Sequence, residues 1–305
     1  MTTASHAYVD RPVGNLDAAA RAATAASSIW RLDHPELLRA GMNAIFTAGP
    51  VVLRVSAPTA PAEVSLELAR FWHDRGVTVP RACRDDVVRV GGLSVTAWER
   101  IEASGQPVDW PRVGELVRSV HDTAPGSLPD SVPLPSPAVF PWWDFEALLD
   151  RAAAGLDQGA REGLEAVIDR HRRWREFDQV VVCHGDVHPG NVLMTADGPV
   201  LLDWDLLCLA PPGWDHGPML SFADRWGGRP GEYDEFASGY GRSLADDPTT
   251  IAIAQLRLVA ATLMRVVASI DDPRARPEAE RRLRYWRGDP DAPPWTPQSL
   301  AITFA

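Results

Sequence analysis

A chain of 305 residues can build one large domain or two lobes around a shared core. With 45% hydrophobic and 23% charged residues it has an ordinary globular composition, no apolar run approaching the roughly 18 residues of a membrane span, and no basic-then-apolar leader, so a cytoplasmic protein is expected. The net charge of −11 disfavours nonspecific nucleic-acid binding and suits a cationic small molecule, although solubility alone also favours such a surplus. No lysine occurs, which points to a coding bias rather than to a function. Cys83, Cys183 and Cys208 show neither paired nor metal-ligand spacing and are expected as free thiols.

In chain order, the first 26 residues are alanine-rich without a strong apolar period, and are expected to form a mobile arm or a loosely docked helix. From Ser27 to Ile101 the pattern is mostly β. Ala44-Ile45-Phe46 and Val51-Val52-Leu53-Arg54-Val55 flank a turn at 48–50. A helix is expected over 62–75, closed by Gly76, and strands over 86–90 and 93–98 are hinged by Gly91-Gly92. Asp109 can cap a helix over 113–123 with Pro111 near its first turn. Further helical patterns cover 143–155, 158–176, 233–244 and 250–270; residues 125–141 read as a proline-rich connector, and the tail after Gly288 as extended. This predicts an α+β protein with a small, mainly β lobe over 1–101 and a larger, mainly helical lobe over 102–305.

The most informative segment runs from Val181 to Asp205. Apolar runs around 181–183, 192–194 and 199–202 alternate with a polar loop and the Asp197-Gly198 turn, which predicts short strands presenting Asp186, Asn191 and Asp203 at adjacent ends. Phosphoryl transfer needs such a set: a carboxylate to orient a hydroxyl, and an amide and a second carboxylate to hold Mg²⁺ on the phosphates. The Asp-x-x-x-x-Asn spacing matches the protein-kinase catalytic loop, but the loop opens His184-Gly185-Asp186 instead of His-Arg-Asp, and Asp203 precedes Trp204-Asp205 instead of Phe-Gly.

This pattern closely resembles the aminoglycoside phosphotransferase (APH) family of small-molecule kinases, over roughly residues 28 to 290. The resemblance implies a two-lobed protein-kinase-like fold and a phosphotransferase that moves the γ-phosphoryl group of ATP or GTP, with Mg²⁺, to a hydroxyl of a small acceptor. Asp186 is then the base, Asn191 and Asp203 metal ligands, and Asp205 either a further ligand or a loop cap. His184, His188 and Asp215 would orient the loop. Arg54 stands where such kinases carry a lysine on the third strand, and its partner is expected to be Glu63 or, next, Glu67 on the following helix. Asn43, in the segment 39–44, occupies the place of a phosphate loop, and the backbones of Glu99 and Ile101 that of the connector which pairs with a purine edge.

For the acceptor, Trp142, Asp144, Trp214, Asp224, Trp226 and Glu232 offer an aromatic and acidic cage for an amine such as an aminoglycoside, another basic antibiotic, choline or an amino-sugar; core packing is the other use of these tryptophans. His184, Asp186 and His188 at alternate positions also admit a metal-dependent hydrolase, and the missing lysine an inactive nucleotide-binding module.

Overall fold

Alanine decides how the chain begins to fold. In the computed structural model, Ala19, Ala22, Ala23 and Ala26 form the fully buried face of a helix, α1 (Leu16–Trp30), whose N-terminus is capped by Asn15 accepting from the Ala18 N–H. The structure describes residues 8–296 apart from 10 and 178; the start of the expected mobile arm and the end of the expected extended tail lie outside them. Over 16–26 the helical alternative is the one the structure shows, and the helix is buried against the sheet rather than loosely docked. Methyl side chains give little hydrophobic contrast along the sequence, but they let a helix lie flush against a sheet.

That sheet contains β1 (Glu36–Ala40), β2 (Ala44–Ala48), β3 (Val51–Ser56), β4 (Val88–Val90) and β5 (Leu93–Glu99), antiparallel in the order β1-β2-β3-β5-β4. On β3 the period of two turns Val51, Leu53 and Val55 into the core beneath α1 and sets Arg54 on the opposite face. Between β3 and β4 runs α2 (Glu63–Asp74), ending before Gly76, whose φ of 76° closes the helix. Its apolar face, with Val64, Leu68 and Trp72, does not join the core under α1. It enters a second cluster with Tyr8, Val120, Leu134, Val182 and Leu207, and so binds the sheet region to the helical region beyond residue 101.

The remainder is mainly helical. Asp109 caps α3 (Trp110–His121) through the Arg112 N–H. Then come α4 (Phe145–Ala152), α5 (Gln158–Arg170), β6 (Val181–Cys183), β7 (Val192–Thr195), β8 (Gly198–Leu201), β9 (Cys208–Ala210), α6 (Gly213–Leu220), α7 (Phe222–Arg225), α8 (Glu232–Tyr240), α9 (Pro248–Asp271) and α10 (Arg276–Trp286). Two antiparallel pairs, β6 with β9 and β7 with β8, set residues 181–210 on this scaffold. Two glycines bring α3 and α8 together: a Cβ on Gly114 would lie 2.1 Å from the Phe236 carbonyl oxygen, and one on Gly239 1.7 Å from that of Pro111. By length and composition α9 could cross a membrane, yet most of that stretch is buried, and its Ile253, Val259 and Leu263 lie in the largest core.

Candidate active site

The β6 strand is apolar because both faces are covered, and the chain must turn sharply to bring polar groups out of it. Gly185 makes that turn with φ 96°, and a Cβ there would stand 2.0 Å from the Leu206 carbonyl oxygen. The departure from His-Arg-Asp therefore has a steric cause: only glycine fits between His184 and Asp186.

His184 is buried and works in one neutral tautomer. Its Nδ1 accepts from the Asp186 N–H at 3.3 Å, leaving Nε2–H to donate to the Leu202 carbonyl at 3.0 Å; burial holds its pKa below the usual value. With both ring nitrogens engaged, His184 has no lone pair for a metal, which removes the main support for a hydrolase. Asp215, at the start of α6, accepts the His184 and Gly185 N–H groups, each at 2.8 Å, and also His121 Nε2 at 3.0 Å. Burial alone would raise the Asp215 carboxyl, but the His121 bond and charge, then His184, bring it below its usual range. Behind it, His121 Nδ1 meets the Tyr240 hydroxyl at 2.9 Å, so α3, α6 and α8 all brace the loop.

Asp186 emerges with about a third of its side chain, 31%, still open. Its Oδ2 accepts from Asn191 Nδ2 at 3.1 Å and faces His188 Nε2 at 3.4 Å, while Oδ1 accepts from Arg257 of α9 at 3.2 Å. Desolvation pushes the carboxyl up, yet His188, Arg257 and His184 outweigh it and hold Asp186 well below the usual carboxylate range. Asn191 also donates to the Asp186 carbonyl, at 3.0 Å, so its amide nitrogen is committed and its oxygen is left for a cation.

Asp203 lies two residues beyond β8 in the left-handed region, φ 62°, with its side chain exposed. Desolvation, then the charges of Asp205 and Asp186, push it up to about 7 against the pull of Arg54. An oxygen-only set of Asn191 and Asp203, short of positive charge, fits a hard divalent cation such as Mg²⁺.

The expected partner of Arg54 is corrected. Its guanidinium is paired with Asp205, whose second oxygen accepts from Asn43 Nδ2 at 2.8 Å. Glu63 instead takes Arg89 of β4 at 2.6 Å, and Glu67 accepts from the Ser131 hydroxyl. The cause lies in α2: its inward face is occupied by Val64, Leu68 and Trp72, which turns both glutamates away from β3. At the connector the Glu99 N–H is used by the Arg81 carbonyl at 2.8 Å, whereas the Ile101 N–H has no partner among the described residues.

The six acceptor candidates do not form a cage. Trp214 is 1% exposed, packed against Trp143 at 4.4 Å beneath the Arg257 guanidinium. Trp142 stacks on Phe140, Asp144 caps α4 through the Ala147 N–H, and Trp226 packs against Trp295. Glu232 is half-buried at the start of α8. Asp224 alone of the six lines a cavity of about 410 Å³, with Leu220, Ser221, Arg225, Ala254 and Tyr285. Burial of large aromatics in the core outweighed any cage, because each ring removes much apolar area from water. Three residues escaped the sequence reading: His121, Tyr240 and Arg257. They reach the loop from distant helices, so no linear spacing marks them; the one visible sign is a charge, Arg257, amid the apolar α9.

A five-stranded lobe, a helical lobe and a polar loop between them define a protein-kinase-like fold, and known structures share it. The protein superposes on a spectinomycin phosphotransferase solved with ADP and spectinomycin at a TM-score of 0.64, with 18% identity, over 85% of this chain and 90% of that one. It superposes on an amicoumacin kinase solved with AMP-PNP and Ca²⁺ at 0.65, with 12% identity over 90% and 95%. For a choline/ethanolamine kinase family protein from Mesorhizobium loti the score is 0.56, with 19% identity over 85% and 88%. Residues 44–257 match the APH phosphotransferase enzyme family, and the chain belongs to it. An aminoglycoside 3'-phosphotransferase from Streptomyces fradiae is 26% identical over 157 residues, 45% of this chain and 57% of that relative's length.

Proposed function

We propose that this protein transfers the γ-phosphoryl group of ATP or GTP to a hydroxyl of a small molecule. The observation that carries the reading is the meeting of Asp186, Asn191 and Asp203 at the cleft, with Arg54 facing them from the sheet. A bond forms between the acceptor oxygen and the γ-phosphorus while the bond to the bridging oxygen breaks; the nucleoside diphosphate leaves with that electron pair, and the hydroxyl proton passes to Asp186. A carboxylate held so far below its usual range is a weak base, so Asp186 acts chiefly by orienting the hydroxyl until late in the transfer. Asn191 Oδ1 and Asp203 would hold Mg²⁺, which neutralises phosphate charge when bound. The Ile101 N–H, without a partner among the described residues, would meet a purine edge, and His188 and Asp215 keep the loop in register.

For the acceptor we infer an antibiotic or another amine-bearing alcohol, supported by the relatives' named substrates and by Asp224 at the cavity between α6, α7, α9 and α10. The test is a panel of aminoglycosides, other basic antibiotics, choline, amino-sugars and neutral sugars, each with Mg²⁺-ATP or Mg²⁺-GTP, scored for phosphorylated product. Asp186→Asn should reduce turnover at least about a hundredfold while nucleotide binding persists. Turnover near wild type in that variant would remove Asp186 from the reaction.

A further inference from the structure

A guanidinium between two lobes needs a counter-charge, and the α2 glutamates that would supply it face elsewhere. Asp205 supplies it from the helical lobe. Its side chain is 9% exposed, and each oxygen has its own donor: Oδ1 takes Arg54 from β3, and Oδ2 takes Asn43 from the β1–β2 turn. The Asn43 side-chain oxygen is buried and has no partner among the described residues, so Asp205 alone orients that amide. One carboxylate thus ties together the cation above the cleft, the turn overhanging it and the loop that carries Asp203.

Resting on the reading of the cleft as a nucleotide site, we propose that Asp205 is a positioning residue which holds Arg54 over the nucleotide phosphates, and that it is not a ligand of the divalent cation. Both of its oxygens are directed at nitrogen donors. A cation bound there would have to displace the guanidinium or stand against it. Asp203, by contrast, takes no side-chain hydrogen bond among the described residues, and Asn191 keeps its oxygen free, so two donors remain for the metal without disturbing Arg54. The acidic partner of the β3 cation has moved from the helix of one lobe to the metal loop of the other. Phosphate grip and metal loop are thereby set by the same group.

Calorimetric titration of the full chain with ADP, in EDTA and again in excess Mg²⁺, tests this directly. Asp205→Asn should weaken metal-free ADP binding about ten- to a hundredfold, as should Arg54→Gln, because each removes a charge-assisted bond that places the same guanidinium. The double variant should bind no more weakly than Arg54→Gln alone. The enhancement of binding by Mg²⁺ should survive in Asp205→Asn and disappear in Asp203→Asn. Metal-free binding unchanged in Asp205→Asn, with the Mg²⁺ enhancement lost, would make Asp205 a metal ligand and overturn the proposal; additive losses in the double variant would overturn it too. Should Asp205→Asn fail to fold, Asn43→Ala decides: it removes only the neutral donor and is expected to weaken metal-free ADP about threefold with the Mg²⁺ enhancement intact. No change in that variant overturns the proposal. A wild-type protein that binds no nucleotide under either condition overturns the kinase reading itself.

Discussion

Gly185 shows how a single position can report on function without touching a substrate. Its φ of 96° and the 2.0 Å that a Cβ would leave to the Leu206 carbonyl make any side chain there push the 184–191 loop off its bracing groups. Gly185→Ala is expected to cost more than the about 1–2 kcal/mol of a left-handed alanine, since the clash adds to it, and to abolish turnover with the loop displaced. Chemical denaturation and an activity assay check both; a variant of wild-type stability would show that the loop can yield. At this scale the sequence was readable wherever chemistry is local. Asp186 and Asn191 lie five residues apart and hydrogen-bond to each other, so their spacing carried the geometry. The pairing of Arg54 with Asp205 spans 151 residues. Nothing in the neighbourhood of Arg54 could signal it, and the nearest acids in sequence, on α2, were the wrong ones.

Among the elements, α6 places two buried groups with opposite electrostatic roles. Asp215 is an ionised brace, whereas His216 sits with its Nδ1 3.2 Å from the Tyr233 hydroxyl and its ring edge-on to Tyr240 at 4.4 Å. Burial first, and the His121 charge second, push His216 down to about 3. An unfolded chain takes up that proton near pH 6.5, so between about 6.5 and 3 it binds one proton more than the folded chain, and stability falls as the pH falls. His216→Gln should therefore flatten the acid side of the stability curve by about 1.4 kcal/mol per pH unit across that window. Asp186 and Asp215 contribute their own acid loss chiefly below about pH 3.9, where unfolded carboxyls protonate. Urea denaturation at steps between about pH 4 and 7 reads the slope, and an unaltered slope would mean that His216 titrates normally. Element prediction succeeded where a cap or an apolar period was strong, as for α2, α3 and α9. It stayed undecided between arm and helix at α1, whose alanines hide their period, and missed α10, where arginines dominate the sequence.

The order of a β-rich stretch followed by a helical one was enough to read the two-lobed plan from the sequence. What it could not disclose is which residues join the lobes into one core. Val64, Leu68 and Trp72 of α2 pack with Val182 next to the 184–191 loop, with Leu207 beyond it, and with Val120 at the end of α3. At about 25 cal/mol per Å² of apolar surface removed from water, such a cluster couples both lobes far more strongly than a connector would. Heat unfolding followed by calorimetry and by tryptophan fluorescence is expected to give one coincident transition, and a fragment of residues 1–101 to remain unfolded. Two separated transitions would contradict this. The same cluster bears on how the family can diversify. A nucleotide half transplanted from a relative would arrive with an α2 surface shaped for another partner, so new specificities in this chain should come from changes within the helical lobe rather than from exchanging halves as cassettes.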